Sequence, residues 1–119
     1  TGSVANRDGG IEMCAGLMDG ATLAVGAVAA LPEVAHPVSV AREVLGEREI
    51  LLVGTGALAF ARDRGAQLRV EDARVPVRVV ADTGAACDTV GAVALDSHGD
   101  FAAGTSTGGL EGTLAGRVG

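Results

Sequence analysis

Thr89 is the residue of this chain whose surroundings most favour a chemical role. It follows Asp88, at the point where a segment of charged and small residues gives way to an apolar run. If the bond between Asp88 and Thr89 is cut, the new α-amine, with an unperturbed pKa of about 7.7–8.0, can take the proton of the threonine hydroxyl at neutral pH. One residue then supplies both nucleophile and base. This chemistry suits a chain of 119 residues that has two histidines, two cysteines and no lysine.

Three other segments match short motifs of known chemistry. Residues 54–59 (GTGALA) match the dinucleotide fingerprint, whose glycines let backbone amides reach a pyrophosphate, with Glu71 or Asp72 as the acid that would bind the ribose. Residues 82–85 (DTGA) match the aspartic-protease signature, in which two such aspartates share a proton. Residues 104–108 (GTSTG) have the form of a nucleophile elbow, which requires a later histidine that this chain lacks. Ordinary turns are the simpler interpretation of the first two motifs, and a dinucleotide-binding module is kept as a weak alternative.

Composition excludes several classes of function. The net charge is −6 and every basic residue is arginine, which excludes Schiff-base lysines, phosphate-loop lysines and serine–lysine dyads. An acidic chain without tyrosine or tryptophan lacks the basic surface and stacking platforms of nucleic-acid binding. Cys14 and Cys87 lie outside any CxxC motif, so we expect no metal site, and their disulfide state stays open. The longest uncharged stretch, residues 20–32, is too short to span a bilayer, so we expect a soluble cytoplasmic protein without a membrane partner.

The elements that must position Thr89 can be predicted from periodicity and turn chemistry. Two apolar runs flank residues 97–100 (SHGD), a favourable turn sequence, and so predict a hairpin. A proline suits the first turn of the first helix, whose apolar face is expected to carry Val38, Ala41 and Val44 or Leu45. The predicted elements are strands at 1–5, 11–18, 50–53, 89–95 and 101–107, helices at 37–46 and 56–64, and a linker at 66–88.

Spacing as well as residue type identifies a family resemblance around Thr89. Residues 88–96 (DTVGAVALD), 102–109 (AAGTSTGG) and 116–119 (GRVG) resemble the plant-type asparaginase, isoaspartyl peptidase and glycosylasparaginase group of N-terminal nucleophile hydrolases. Residues 18–29 and 52–61 are similar to the same family, so the resemblance covers nearly the whole chain except the linker. It also accounts for the glycine motifs that begin at positions 54 and 104, because both belong to the family pattern.

The resemblance implies an α+β fold that is part of a four-layer αββα sandwich, truncated at both ends. Residues 1–119 would then be a single, incomplete hydrolase domain. Residues 1–88 would form its α-subunit-like part, including the linker, and residues 89–119 the start of its β-subunit-like part. We further expect self-association as a dimer of processed αβ units.

The resemblance also implies roles for named residues. Self-cleavage between Asp88 and Thr89 would leave Thr89 as the amino-terminal nucleophile, and Thr107 matches the second threonine, whose hydroxyl lies beside it. Arg117 matches the arginine that binds the α-carboxylate of the substrate, a task that suits a planar guanidinium. The implied reaction is hydrolysis of a β-aspartyl amide, in L-asparagine or an isoaspartyl dipeptide, through an acyl-threonine ester and without a cofactor or metal.

Departures from the family pattern leave alternatives open. Asp88 is the residue found at this point in glycosylasparaginases, where many asparaginases have glycine, and residues 110–115 replace a more polar segment. Family members are well over twice this length, and we expect the chain to lack a segment of the oxyanion hole, where losing one donor costs about 10²–10³ in rate. The alternatives are therefore a glycosylasparaginase-type hydrolase and a catalytically inactive fragment or interaction module. In either case unpaired sheet edges predict self-association.

Overall fold

The computed structural model describes residues 3–69 and 89–118, in which five strands form one mixed sheet beside two helices. The elements are β1 (Met13–Asp19), β2 (Val25–Leu31), α1 (Pro37–Val44), β3 (Leu51–Val53), α2 (Gly54–Asp63), β4 (Thr89–Leu95) and β5 (Phe101–Thr107). The strand order is β3-β2-β1-β5-β4, with β2 and β3 parallel and the other neighbours antiparallel. The predicted α+β class is therefore confirmed.

Most predicted elements are present, and where their ends differ the shift is one or two residues. The two hairpin strands begin and end where the sequence predicts, and Gly65, with φ of +69°, follows the end of α2. The strand predicted at 1–5 is wrong for the described residues 3–5, which form only isolated backbone bonds such as Val4 N to Gly108 O at 3.1 Å.

Part of the sequence predictions concerns residues outside the described ranges. Of the predicted linker, residues 66–69 are described, and Leu68 forms an antiparallel bridge with Val34. The remainder of the linker lies outside the described residues. It includes Glu71, Asp72, the motif at 82–85, Cys87 and Asp88.

Both helices cover the same face of the sheet, which we call the helix face. Ala15 of β1 and Val28 of β2 are register partners on this face and are almost fully buried. The same cluster contains residues of both helices and of the connection that follows β2. Its members outside the strands are Val34, Val40, Ala41, Val44, Ala57, Leu58 and Ala61. Burial of this apolar surface holds the helices to β1 and β2.

The apolar face of α1 is turned slightly from the predicted one. Val40, Ala41 and Val44 are buried, whereas Val38 is 37% exposed. Val38 belongs with Arg42 and Leu45 to a neighbouring helical stripe, because residues three and four apart share a face. That stripe borders a groove beside the sheet rather than the core. Among the described residues, no helix has the length and apolar character needed to cross a membrane.

The opposite face of the sheet, which we call the open face, carries exposed apolar side chains. Strand alternation and register place Met18, Val25, Leu51, Val93 and Phe101 on this face, and all five are exposed. No described helix covers them. Within the part of the chain that the structure describes, the helices therefore pack on one face of the sheet only.

Gly26 allows α1 to approach β2, and its replacement by alanine is expected to destabilise the fold. A Cβ at this position would overlap the carbonyl oxygen of Ala41 and lie 2.6 Å from the backbone nitrogen of Leu45. Relief of such overlap requires backbone movement, so we expect Gly26→Ala to lower the free energy of unfolding by about 1–3 kcal/mol or more. Urea denaturation measures the change.

Gly56→Ala is the matched control for this substitution. Gly56 lies in the first turn of α2, where an added Cβ meets no atom within 4 Å. Alanine restricts the unfolded chain, so we expect this variant to gain about 0.4–1 kcal/mol. Equal effects of the two substitutions would contradict the close packing of α1 on β2.

Candidate active site

The hairpin of β4 and β5 sets the positions of the two predicted threonines. Its register pairs Thr89 directly with Thr107 and continues without a break to Leu95 opposite Phe101. Directly opposed residues of antiparallel strands point to the same face, with Cβ atoms about 4.5–5.5 Å apart. The structure therefore brings together the two hydroxyl side chains that the sequence singled out, on the open face of the sheet.

The two threonines have different surroundings. Thr89 is exposed, whereas Thr107 is only 8% exposed. The Oγ1 of Thr107 accepts a hydrogen bond from Gly109 N at 3.2 Å, which leaves its own proton for another acceptor. The nearby Thr105 hydroxyl instead donates to Val90 O at 3.1 Å, so its proton is already used. Thr107 is thus the hydroxyl of β5 that can donate a proton toward Thr89.

Cys14 extends this row of side chains and was not predicted as part of the site. It is the register partner of Thr107 on the other side of β5, and it is 8% exposed. The three side chains of Cys14, Thr107 and Thr89 thus follow one line across the open face. No motif in the sequence surrounds Cys14, and only the pairing of β1 with β5 reveals its position.

Arg117 lies in a separate small cleft next to the threonine pair. Neither Thr89 nor Thr107 lines this cleft, although Gly109, which donates to Thr107, does. The exposed Arg117 shares the cleft with three polar side chains, those of Asn6, Glu12 and Thr113. The structure thus joins the two threonines directly, whereas Arg117 is connected to them through the segment that follows β5.

Glu12 is a second residue that the sequence predictions missed. Its Oε2 accepts hydrogen bonds from Gly116 N at 2.8 Å and from Asn6 Nδ2 at 3.0 Å. Gly116 immediately precedes Arg117, so Glu12 contacts the turn that carries this arginine. A separation of 104 positions along the chain hides this contact from any local pattern.

A larger groove of about 650 Å³ lies on the other face of the sheet. It runs between α1 and the part of β4 and β5 that the helices leave uncovered. Its lining is mostly apolar, with Ala92, Ala94 and Ala102 along the two strands. Because these residues alternate with Thr89 and Thr107, the groove is on the face opposite the threonine hydroxyls.

The geometry gives less support to dinucleotide binding at residues 54–59. Gly54, with φ of +55°, and Gly56 lie in the first turn of α2, which follows β3 directly. In the described residues, β4 pairs only with the antiparallel β5, and no further parallel strand follows α2. The same residues contain no group of three or more histidine, cysteine, aspartate or glutamate side chains that could hold a metal ion.

Comparison with known proteins gives consistent matches along the chain. The family model described as Asparaginase matches residues 1–78 and 66–119. The isoaspartyl peptidase/L-asparaginase of Rattus norvegicus is 41% identical over 99% of this chain and 40% of its own length. The isoaspartyl peptidase of Salmonella typhimurium is 42% identical over 99% of this chain and 44% of its own length. The plant-type L-asparaginase of Pyrococcus abyssi is 39% identical over all of this chain and 47% of its own length. The chain thus spans less than half of each of these relatives.

The hairpin turn that sets the Thr89–Thr107 register is expected to depend on the charge of Asp96. Its Oδ1 accepts hydrogen bonds from Asp100 N at 3.0 Å and from His98 N at 2.8 Å, and these bonds, that from Asp100 foremost, lower the pKa of Asp96. A carboxyl whose pKa is lower in the folded chain stabilises the turn above its ordinary pKa of about 3.9. This contribution is lost as the pH falls through the lowered value.

Nuclear magnetic resonance can follow this loss at the turn. We expect the Asp96 carboxyl to titrate below the range of an unfolded chain, and the His98 and Asp100 amides to lose protection over the same pH interval. Asp96→Asn keeps an acceptor oxygen but does not titrate, so it should abolish that pH step. Amide protection that is independent of pH in the native protein would contradict this role.

Proposed function

Because the chain belongs to the asparaginase family, we propose that the protein is an amidohydrolase that cleaves β-aspartyl amide bonds, in L-asparagine or isoaspartyl dipeptides. Relatives such as those of Rattus norvegicus and Salmonella typhimurium carry the names of these two activities. The observation that carries the proposal is the register that sets Thr89 opposite Thr107. It supports a site in which one hydroxyl is the nucleophile and the other assists it.

The first step of the proposed mechanism is self-cleavage before Thr89. The Thr89 hydroxyl attacks the carbonyl carbon of Asp88, its proton passes to the peptide nitrogen as the carbon–nitrogen bond breaks, and the acyl group remains on the threonine oxygen as an ester. Water then hydrolyses the ester and leaves Thr89 with a free α-amine. The exposure of Thr89, the first residue of β4, supports this order of events, because the described residues leave its side chain accessible.

Turnover then uses the new amino terminus as a base. The α-amine accepts the proton of the Thr89 hydroxyl as the oxygen attacks the β-amide carbon of the substrate. The amide carbon–nitrogen bond breaks, the leaving group (ammonia for L-asparagine) departs with that proton, and an aspartyl ester remains on Thr89. The α-amine of Thr89 then deprotonates a water molecule, which hydrolyses the ester and releases aspartate. Thr107 donates a hydrogen bond to the Thr89 oxygen and so supports its ionisation.

Arg117 is proposed to bind the α-carboxylate of the substrate. A guanidinium can form two parallel hydrogen bonds to one carboxylate, which fixes orientation as well as charge. Arg117 is exposed in a cleft that adjoins the segment after Thr107, and none of the ion pairs among the described residues involves it. It is therefore available to a small anionic group near the threonines.

The same proposal extends to the architecture around the site. We propose that the sheet is one inner layer of a four-layer αββα sandwich, in which residues 1–88 and 89–119 become separate α and β parts of a cytoplasmic dimer. The helix face already carries α1 and α2, and the open face presents exposed side chains such as Val93 and Phe101. Such an apolar face is what a second sheet packs against.

Self-cleavage is the first prediction to test. Purified protein kept at neutral pH should separate into one piece that ends at Asp88 and another that begins at Thr89, as measured by intact mass. Thr89→Ala removes the attacking hydroxyl and should remain whole. Ser106→Ala is the matched control, because Ser106 precedes Thr107 on β5 but faces the other side of the sheet. A native chain that stays whole would contradict the proposed mechanism and favour an inactive fragment.

A second prediction concerns the role of Thr107 in turnover. We expect Thr107→Ala to lower kcat for L-asparagine by about 10²-fold, the usual size of a lost proton-transfer partner. Thr107→Ser keeps the hydroxyl and should recover most of the rate, while Ser106→Ala should match the native protein. Ammonia release measures the rate. A Thr107→Ala variant with native kcat would show that the opposed hydroxyl does not assist Thr89.

A further inference from the structure

Arg117 lies near the end of a segment that has no regular secondary structure. We call residues 108–118 the tail. It is attached to the start of the chain by backbone hydrogen bonds, among them Arg7 N to Thr113 O at 2.8 Å and Gly112 N to Ala5 O at 3.2 Å. These bonds hold the tail up to Thr113, but they do not reach the turn that contains Arg117.

Glu12 forms a hydrogen bond to the turn that contains Arg117, which the backbone bonds do not reach. Its Oε2 accepts from Gly116 N at 2.8 Å, and Gly116 has φ of +80° in the turn before Arg117. Within the described residues, this is the only side-chain hydrogen bond between residues 110–118 and the rest of the chain. Because the acceptor is a carboxylate, the bond is stronger than one between neutral groups.

The Glu12 side chain is itself held in place. Its Oε2 also accepts from Asn6 Nδ2 at 3.0 Å, and the Oδ1 of Asn6 accepts from the backbone nitrogens of Asp8 and Gly10 at 3.0 and 2.9 Å. Asn6 thus ties the Glu12 carboxylate to the turn before β1. The carboxylate oxygen that Asn6 holds in place is the same atom that accepts from Gly116 N.

Glu12 also adjoins the segment that follows Thr107. A Cβ on Gly109 would lie 3.4 Å from the Glu12 carbonyl oxygen, so the two backbones are close neighbours, and Gly109 N donates to Thr107 Oγ1. The backbone of Glu12 therefore lies beside the segment that follows Thr107, while its carboxylate holds the turn before Arg117. Glu12 thus adjoins both sides of the site.

We propose that Glu12 is a positioning residue that holds Arg117 at a fixed place relative to the Thr89–Thr107 pair, so that the guanidinium meets the α-carboxylate of a β-aspartyl substrate. This inference rests on the proposed hydrolase function. Both N–H donors bond to the Oε2 atom of Glu12, and Glu12 forms no ion pair with Arg117 among the described contacts. The guanidinium is therefore left for the substrate.

The test compares Glu12 variants of the purified protein with L-asparagine as substrate. Glu12→Ala removes the bond to Gly116, so we expect KM to rise about tenfold to a hundredfold with kcat nearly unchanged. Glu12→Asp keeps the charge but is one methylene too short to reach Gly116, and it should behave like the alanine variant. Glu12→Gln keeps both the length and an acceptor oxygen, so its KM should stay within about fivefold of the native value.

Two further variants separate positioning from general effects on the tail. Glu111→Ala removes an exposed carboxylate from the same tail, without a described hydrogen bond, and should leave KM unchanged. In an Arg117→Ala background, Glu12→Ala should add no further rise in KM, because Glu12 acts through that arginine. Should Glu12→Ala fail to fold in a thermal scan, the comparison of Glu12→Asp with Glu12→Gln decides the question.

The outcomes distinguish this inference from the proposed function. If the native protein cleaves itself and turns over L-asparagine but Glu12→Ala and Glu12→Asp keep the native KM, the inference is wrong and the hydrolase proposal stands. An equal rise in KM with or without Arg117 also overturns it. A native protein with neither self-cleavage nor turnover contradicts the proposed function itself, and the inference with it.

Discussion

The pairing of β5 with β1 is the interaction on which the rest of this structure depends. β5 comes from the last part of the chain and β1 from the first, and their backbones pair from Cys14 opposite Thr107 to Asp19 opposite Ala102. Through this ladder the hairpin joins a sheet whose other strands are packed under the helices. Without it, β4 and β5 would be an isolated two-stranded ribbon, which is at best marginally stable in water.

Small residues make this pairing compatible with close packing. Gly26 lets α1 lie directly on β2, and Gly20 accommodates the backbone of Phe101, whose carbonyl oxygen accepts from Gly20 N at 2.7 Å. The chain has only two aromatic residues, and its core consists mainly of alanine, valine and leucine side chains, which pack closely where glycines let the backbones approach. Because the side chains are small, the backbone segments lie close together and leave little space for added atoms. A single methyl group added at Gly26 would overlap main-chain atoms.

Local signals allowed much of the fold to be predicted from the sequence, and distant contacts account for what was missed. Turn chemistry at residues 97–100 predicts the hairpin and therefore the approach of Thr89 to Thr107, because an antiparallel hairpin fixes its own register. The helix that begins at Pro37 was also predicted, although packing of α1 on β2 rotates Val38 out of the core. The positions of Cys14 and Glu12 could not be predicted. One depends on which strand lies beside β5, and the other on a bond between residues at opposite ends of the chain.

A cut before Thr89 would divide the β1–β5 ladder between two polypeptides. β1, β2, β3 and both helices would then belong to one polypeptide, and β4, β5 and the tail to another. The register pairs between β1 and β5, and the backbone bonds from Val4, Ala5 and Arg7 to the tail, would become contacts between two subunits. The sheet would then be formed by two separate polypeptides. The fraction of them that remains associated would depend on their concentration.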